Sequence, residues 1–212
     1  MTTTNLFDEY IVQGGVTMLA LVPLSIYTLS IIVQKSLELR KSKMICAQVV
    51  KQAKAVRDQK SFQAFYAALQ ENPSPLALII RDYIDAGIRG ESIDPKENLV
   101  PIDDQAEILY QSLSPISTAY IIGPLIGVLG TTVGIMATFR QFAIAGKRDM
   151  AALVSAIDKS LITTMWGLII AVPAYFAYAL LQNRIFDYER KVLPKIVAEI
   201  MPTLAPHIPH KK

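Results

Sequence analysis

Three stretches of the chain carry no charged residue over more than twenty positions: Tyr10 to Gln34, Ile108 to Phe139 and Ser160 to Asn183. A helix rises 1.5 Å per residue, so a run of about 20 apolar residues covers the roughly 30 Å hydrocarbon thickness of a bilayer. The pattern predicts an all-α membrane protein with three transmembrane helices, at 12–33, 114–139 and 156–181. The start of the third is open between Met150 and Leu161. Between the first and second runs, residues 34–113 turn to the mixed apolar and charged pattern of water-exposed helices, with 11 basic and 11 acidic residues from Lys35 to Leu113.

Inside that region the periodicity predicts an amphipathic continuation of the first span over Ser36 to Val56, carried by Leu37, Ile45, Val49 and Val56. A short helix follows over Lys60 to Gln70. The breaker ENPSP ends it, since Pro73 and Pro75 lack donors and restrict the residues before them. A further helix is predicted from Ser74, a suitable N-cap, to a stop at Gly87 or Gly90. Beyond Pro95 no stop signal separates the acidic segment from the central span, which predicts one long helix despite Pro101 and Pro115. Residues 182–212 read as a helical extension, QNRIFDYERKVLPKIVAEI, and a frayed tail, TLAPHIPHKK.

Charge orients this arrangement. Lys35, Arg40, Lys41 and Lys43 follow the first span, and Arg184, Arg190, Lys191 and Lys195 follow the third, which places 34–113 and 182–212 in the cytoplasm as long helical extensions. Residues 1–11 and the turn 140–155 are then external, although Arg140, Lys147 and Arg148 run against that sense. MTTTNLFDEY has no basic residue before its apolar run, so no cleaved signal is expected. Composition agrees with a membrane protein: 212 residues, 52% hydrophobic, 18% charged and a mean hydropathy of +0.35. A net charge of +3 leaves no basic face for nucleic acid. Cys46 is the single cysteine, which excludes a disulfide framework. No G-x-S-x-G, H-E-x-x-H or P-loop pattern occurs, so an enzyme is not expected, and no metal or cofactor site is indicated. His207 and His210 are spaced for a metal but lack a third ligand nearby.

The second span carries Gly123, Gly127, Gly130, Thr131, Gly134 and Thr138 at three- and four-residue steps, a side-chain-poor face that lets another helix approach closely. The third repeats the theme with Ser160, Thr163, Thr164, Gly167, Ala171 and Ala174. Pro173 removes a backbone donor there and can kink the helix. Two readings of the hydroxyls stand side by side. In one, Thr131, Thr132, Thr163 and Thr164 bond back to their own helices and the small residues serve packing. In the other, Thr131 and Thr164 line an ion path. Asp158 and Lys159 form the ionisable pair closest to a span interior, where a charge is costly enough to imply a role or a partner.

SPLALIIRDYIDAG, IGPLIGVLGTTVGIMATF and SLITTMWGLIIAVPAYFAY together resemble the MotA/TolQ/ExbB proton-channel family, in its three-span ExbB/TolQ-like branch. The resemblance covers nearly the whole chain and rests on G-x-x-G-T-x-x-G-I followed by T-x-x-G-L-x-x-A-x-P-A. It implies a homopentamer in the bacterial inner membrane around two copies of a single-span ExbD/TolR-like partner, N-terminus outside and C-terminus cytoplasmic. It also implies a stator-like ion-channel subunit that couples proton-motive force to work across the envelope. The transported ion would be H+, or Na+ as in some members, with no bound cofactor. By position, the family's two span threonines fall on Thr131 and Thr164. The glutamate often found five residues before the second falls on Lys159, with Asp158 one position earlier. A non-conducting membrane scaffold is the alternative function. A solute transporter fits less well, for want of an internal repeat.

Overall fold

The structure is a computed structural model that describes residues 17–145 and 150–209. The expected external N-terminus at 1–11, the first residues of the first span at 12–16, part of the turn at 146–149, and His210 lie outside the described residues. Helix α1 spans Met18–Glu38, α2 Lys41–Met44, α3 Ala47–Ala55, α4 Gln59–Gln70, α5 Pro75–Arg89, α6 Val100–Gln111, α7 Ser114–Ala145, α8 Met150–Asp187 and α9 Leu193–Leu204. A π-helical turn, Tyr188–Val192, joins α8 to α9, and a 3₁₀ turn, Ala205–His207, follows α9. There is no strand among the described residues. Three helical stretches are long and apolar enough to cross a membrane: Met18–Glu38, Val100–Ile144 and Leu153–His207.

The chain divides into two compact units. Of the described residues the first contains 17–34, 114–145 and 150–179, hence most of α1, all of α7 and most of α8. Within it α7 and α8 run antiparallel, because Gly123 meets Gly167, Gly127 meets Thr163 and Thr164, and Gly134 meets Ser160. Met18 and Leu21 of α1 are buried with Ile170, and Ile126, Ile162 and Trp166 pack around them. Tyr120 is held between Tyr175 and Tyr178, with ring centroids 5.3 and 5.5 Å away. Much of α7 stays exposed despite being apolar, at Leu125, Val128, Leu129, Val133 and Met136. A helix apolar on every side suits lipid or a neighbouring helix.

The second unit contains residues 35–113 and 180–209, so the long segment between spans and the C-terminal segment fold together. Its centre is α5, where Leu76, Ala77, Ile79, Ile80, Tyr83 and Ile84 have no exposed surface. That helix begins as its sequence dictates: Ser74 accepts a hydrogen bond from the Ala77 amide and Pro75 occupies the first turn, where no donor is needed. It ends at Gly90, whose φ of 82° is the left-handed conformation that glycine reaches without strain. Phe62, Phe65 and Leu69 of α4, Ile102 and Ala106 of α6, and Val197, Ile200, Met201 and Leu204 of α9 complete the core. The Tyr83 hydroxyl donates to the Asn98 carbonyl at 2.6 Å, and Tyr66 donates to Asp85 at 2.7 Å.

The structure departs from the sequence expectations in three places. The helix expected over Ser36 to Val56 is broken into the end of α1, then α2, then α3. Leu39, Met44 and Val49 are the buried residues, with Ala53 and Val56, whereas Leu37 is exposed. Steps of five residues turn a straight helix by about 140° each, so Leu39, Met44 and Val49 could not share one face without the breaks. The helix expected to run unbroken into the central span is interrupted at Ser112 and Leu113. Pro115 explains this, since its ring cannot donate to the Gln111 carbonyl. The tail expected to fray is ordered as far as it is described: Leu204 is fully buried, Ile208 is 4% exposed, and Ile208 methyls pack over Gly87. Leu193, Val197, Met201, Leu204 and Ile208 form one buried apolar stripe, and its last member, set against Gly87 of α5, gives the tail its anchor.

Candidate functional site

The two small-residue stripes meet face to face. A β-carbon on Gly123 would stand 3.2 Å from the Gly167 carbonyl oxygen, and one on Gly167 would stand 2.6 Å from the Gly123 carbonyl oxygen. At Gly127 the Thr163 carbonyl oxygen and the Thr164 Cα would each be 2.9 Å away, and at Gly134 the Ser160 Cβ would be 2.8 Å away. Only glycine lets the backbones come this close. Ala171 and Ala174 extend the buried face of α8, while Pro173 is on its exposed side.

Hydroxyls fill the space the glycines leave. The Thr131 Oγ1 lies 3.1 Å from the Thr164 Oγ1, so the structure brings together the two threonines singled out from the sequence. Thr131 also donates to the Val128 carbonyl at 2.8 Å, with the Gly127 carbonyl at 3.3 Å. A hydroxyl has one proton. If that proton is held by Val128, the bond between the threonines runs from Thr164 to the Thr131 oxygen. Thr163 is 2% exposed and donates to its own helix at Ser160 O, 2.8 Å, while the Gly127 carbonyl of the facing helix is at 3.2 Å. Thr132 is exposed and bonds back to Val128 O at 2.9 Å, because one residue's step turns its side chain about 100° from Thr131.

Asp158 and Lys159 are both exposed on α8, and neither forms an ion pair among the described residues. Their Cα atoms lie on the order of 8 Å along the helix axis from Thr164, given five or six residues at 1.5 Å each. They are therefore near the hydroxyl cluster but not in it. Thr17 belongs to the cluster and was not anticipated: its Oγ1 would be 2.8 Å from a β-carbon on Gly130, beside the Thr163 Oγ1 at 2.7 Å. Its sequence signal is slight, since Ser25, Thr28 and Ser30 place further hydroxyls in the same uncharged run. No group of three metal-ligating side chains occurs among the described residues, and the His207 ring lies against Phe62 with centroids 6.2 Å apart.

The residues that make this glycine-lined, hydroxyl-bearing contact lie in a segment that matches a known family. Residues 60–192 match the model of the MotA/TolQ/ExbB proton channel family. The chain belongs to that family. It is a membrane protein of a proton-channel family rather than of an enzyme family. An ExbB homologue of Methanothermobacter thermautotrophicus, described as a biopolymer transport protein, is 28% identical over 85% of this chain and 64% of its own length. The Tol-Pal system protein TolQ of Pseudomonas aeruginosa is 37% identical over 37% of this chain and 34% of its own. An ExbB-like biopolymer transport protein of Helicobacter pylori is 32% identical over 38% and 44%. The chain spans less than two thirds of the length of these curated relatives.

Proposed function

We propose that this protein is the ion-channel subunit of an inner-membrane motor that converts proton-motive force, or sodium-motive force, into work across the cell envelope. In this reading five copies surround two copies of a single-span ExbD/TolR-like partner, which supplies the carboxylate that carries the ion. Thr131 and Thr164 line the path beside that carboxylate. The N-terminus is external, and the second unit and the C-terminus are cytoplasmic extensions. The exposed apolar flanks of α7 and α8 are the surfaces available to neighbouring copies and to the partner. No cofactor takes part.

The observation that carries the reading is the 3.1 Å contact between the Thr131 and Thr164 hydroxyls within a proton-channel family member. Lone pairs remain on both oxygens beyond the one proton each donates. Those lone pairs can solvate a proton or cation where lipid offers nothing. A non-conducting scaffold is the competing reading, and the bonds from Thr131 and Thr163 to helix carbonyls favour it, since they account for those hydroxyls by packing alone.

Valine substitution separates the two. Thr164→Val keeps shape and volume and removes the oxygen. Leaving an ion step without that oxygen costs several kcal/mol, roughly 10²-fold or more in rate. Thr164→Val is expected to retain the complex with its partner and lose ion-driven activity, and Thr131→Val to lose less. Lys159→Ala gives a milder or ion-specific defect. Proton flux measured in proteoliposomes holding the complex reads this out, and full flux in both valine variants at normal expression leaves the scaffold reading standing.

A further inference from the structure

The second unit holds a recess of about 570 Å³ that the ion path does not use. Leu39, Tyr188 and Val192 form its apolar lining, and Arg40, Arg184 and Lys191 bring three cations to it against one carboxylate, Asp187. Lys191 Nζ lies 2.6 Å from Asp187 Oδ1, so that pair neutralises itself. Arg40 and Arg184 are exposed, and among the described residues neither has a carboxylate at ion-pair distance. Two arginines thus line one concavity without an ion pair among the described residues. A guanidinium presents its donors in a planar fork that suits two oxygens of one phosphate.

Chain position narrows the source of that phosphate. Arg184 is the first charged residue after the uncharged run Ser160 to Asn183, and Arg40 stands two residues beyond the end of α1. Each cation therefore follows a span-length apolar helix, at the level where acyl chains give way to headgroups. A phosphate bonded to acyl chains is concentrated there, and the apolar lining suits its glycerol and first methylenes. We propose that this recess binds the headgroup of an anionic phospholipid, with Arg40 and Arg184 as the phosphate ligands and Lys191 adding charge once Asp187 is displaced or neutralised.

The test is a titration of the detergent-purified full-length protein with phosphatidylglycerol, and separately with phosphatidylcholine, read as bound lipid by native mass spectrometry. Each cation near an anionic headgroup contributes about fivefold, so the double variant R40Q/R184Q is expected to bind phosphatidylglycerol about 30-fold more weakly, with phosphatidylcholine unchanged. K60Q, an exposed cation on α4, is expected to change nothing. D187N frees Lys191 and is expected to tighten phosphatidylglycerol several-fold, a gain that a damaged fold does not produce. Equal phosphatidylglycerol binding in R40Q/R184Q and the parent overturns the proposal. So does displacement of the lipid by millimolar inorganic phosphate, which identifies the occupant as a soluble anion.

Discussion

A methyl group at Gly127 would press on the backbone of Thr163 and Thr164, both contacts at 2.9 Å. Backbone atoms in the middle of a helix cannot turn aside. At Gly130 the nearest atoms are instead the hydroxyl oxygens of Thr163 and Thr17, at 2.7 and 2.8 Å, which can rotate about χ1. Overpacking costs about 1–3 kcal/mol, and alanine returns up to about 1 kcal/mol through its better helix propensity. Gly127→Ala is therefore expected to lower the melting temperature of the detergent-purified protein, and Gly130→Ala to lower it less. Equal melting of the two variants, or the reverse order, contradicts the packing described for this face. The stripes were readable in the sequence because three- and four-residue spacing is a property of the helix alone. Which hydroxyl faces which was not: Thr131 and Thr132 are neighbours of one type, and only the partner helix distinguishes the one that meets Thr164 from the one that bonds back to Val128.

At the scale of elements, α5 shows what local signals carry and where they stop. Its cap at Ser74, its first-turn Pro75 and its stop at Gly90 are all chemical facts of single residues, and the sequence placed the helix closely. The breaks between α1, α2 and α3 have no such marker, since LRKSKMICAQ contains neither glycine nor proline. They arise because Leu39, Met44 and Val49 all find the core of the second unit, a tertiary demand that overrides propensity. The buried Tyr83 makes α5 testable. Burial first, then Asp103 and Asp94, push its hydroxyl up to about 12. The unfolded chain loses this proton near pH 10 while the folded chain keeps it, so its contribution is fully present below pH 10 and is lost as pH rises to about 12. The loss is on the order of 2 kcal/mol. Tyr83→Phe gives up the bond to Asn98 at neutral pH but has no such titration. The melting-temperature gap between parent and variant is expected to narrow between pH 10 and 12, and a constant gap contradicts the assignment.

For the whole molecule the open quantity is direction across the bilayer, which helix packing does not determine because an inverted bundle makes the same contacts. Only charge flanking the spans sets it. Eight cations after the first and third spans, Lys35, Arg40, Lys41, Lys43, Arg184, Arg190, Lys191 and Lys195, oppose Arg140, Lys147 and Arg148 between the second and third. Positive flanks are retained on the cytoplasmic side, so the larger set supports the proposed orientation. Both flanking segments fold into one unit, so residues 35–113 and 180–209 lie on the same side and their charges count together, whichever side that is. Two single-cysteine probes in a Cys46→Ser background measure it. A cysteine replacing Gly146, between the ends of α7 and α8, is expected to react with an impermeant maleimide in intact cells. One replacing Lys60, exposed on α4, is expected to react only after the membrane is opened. The opposite labelling reverses the topology and puts the Arg40 and Arg184 recess against the outer leaflet. Labelling of both in intact cells is incompatible with three spans, because an odd number of crossings must separate position 60 from position 146.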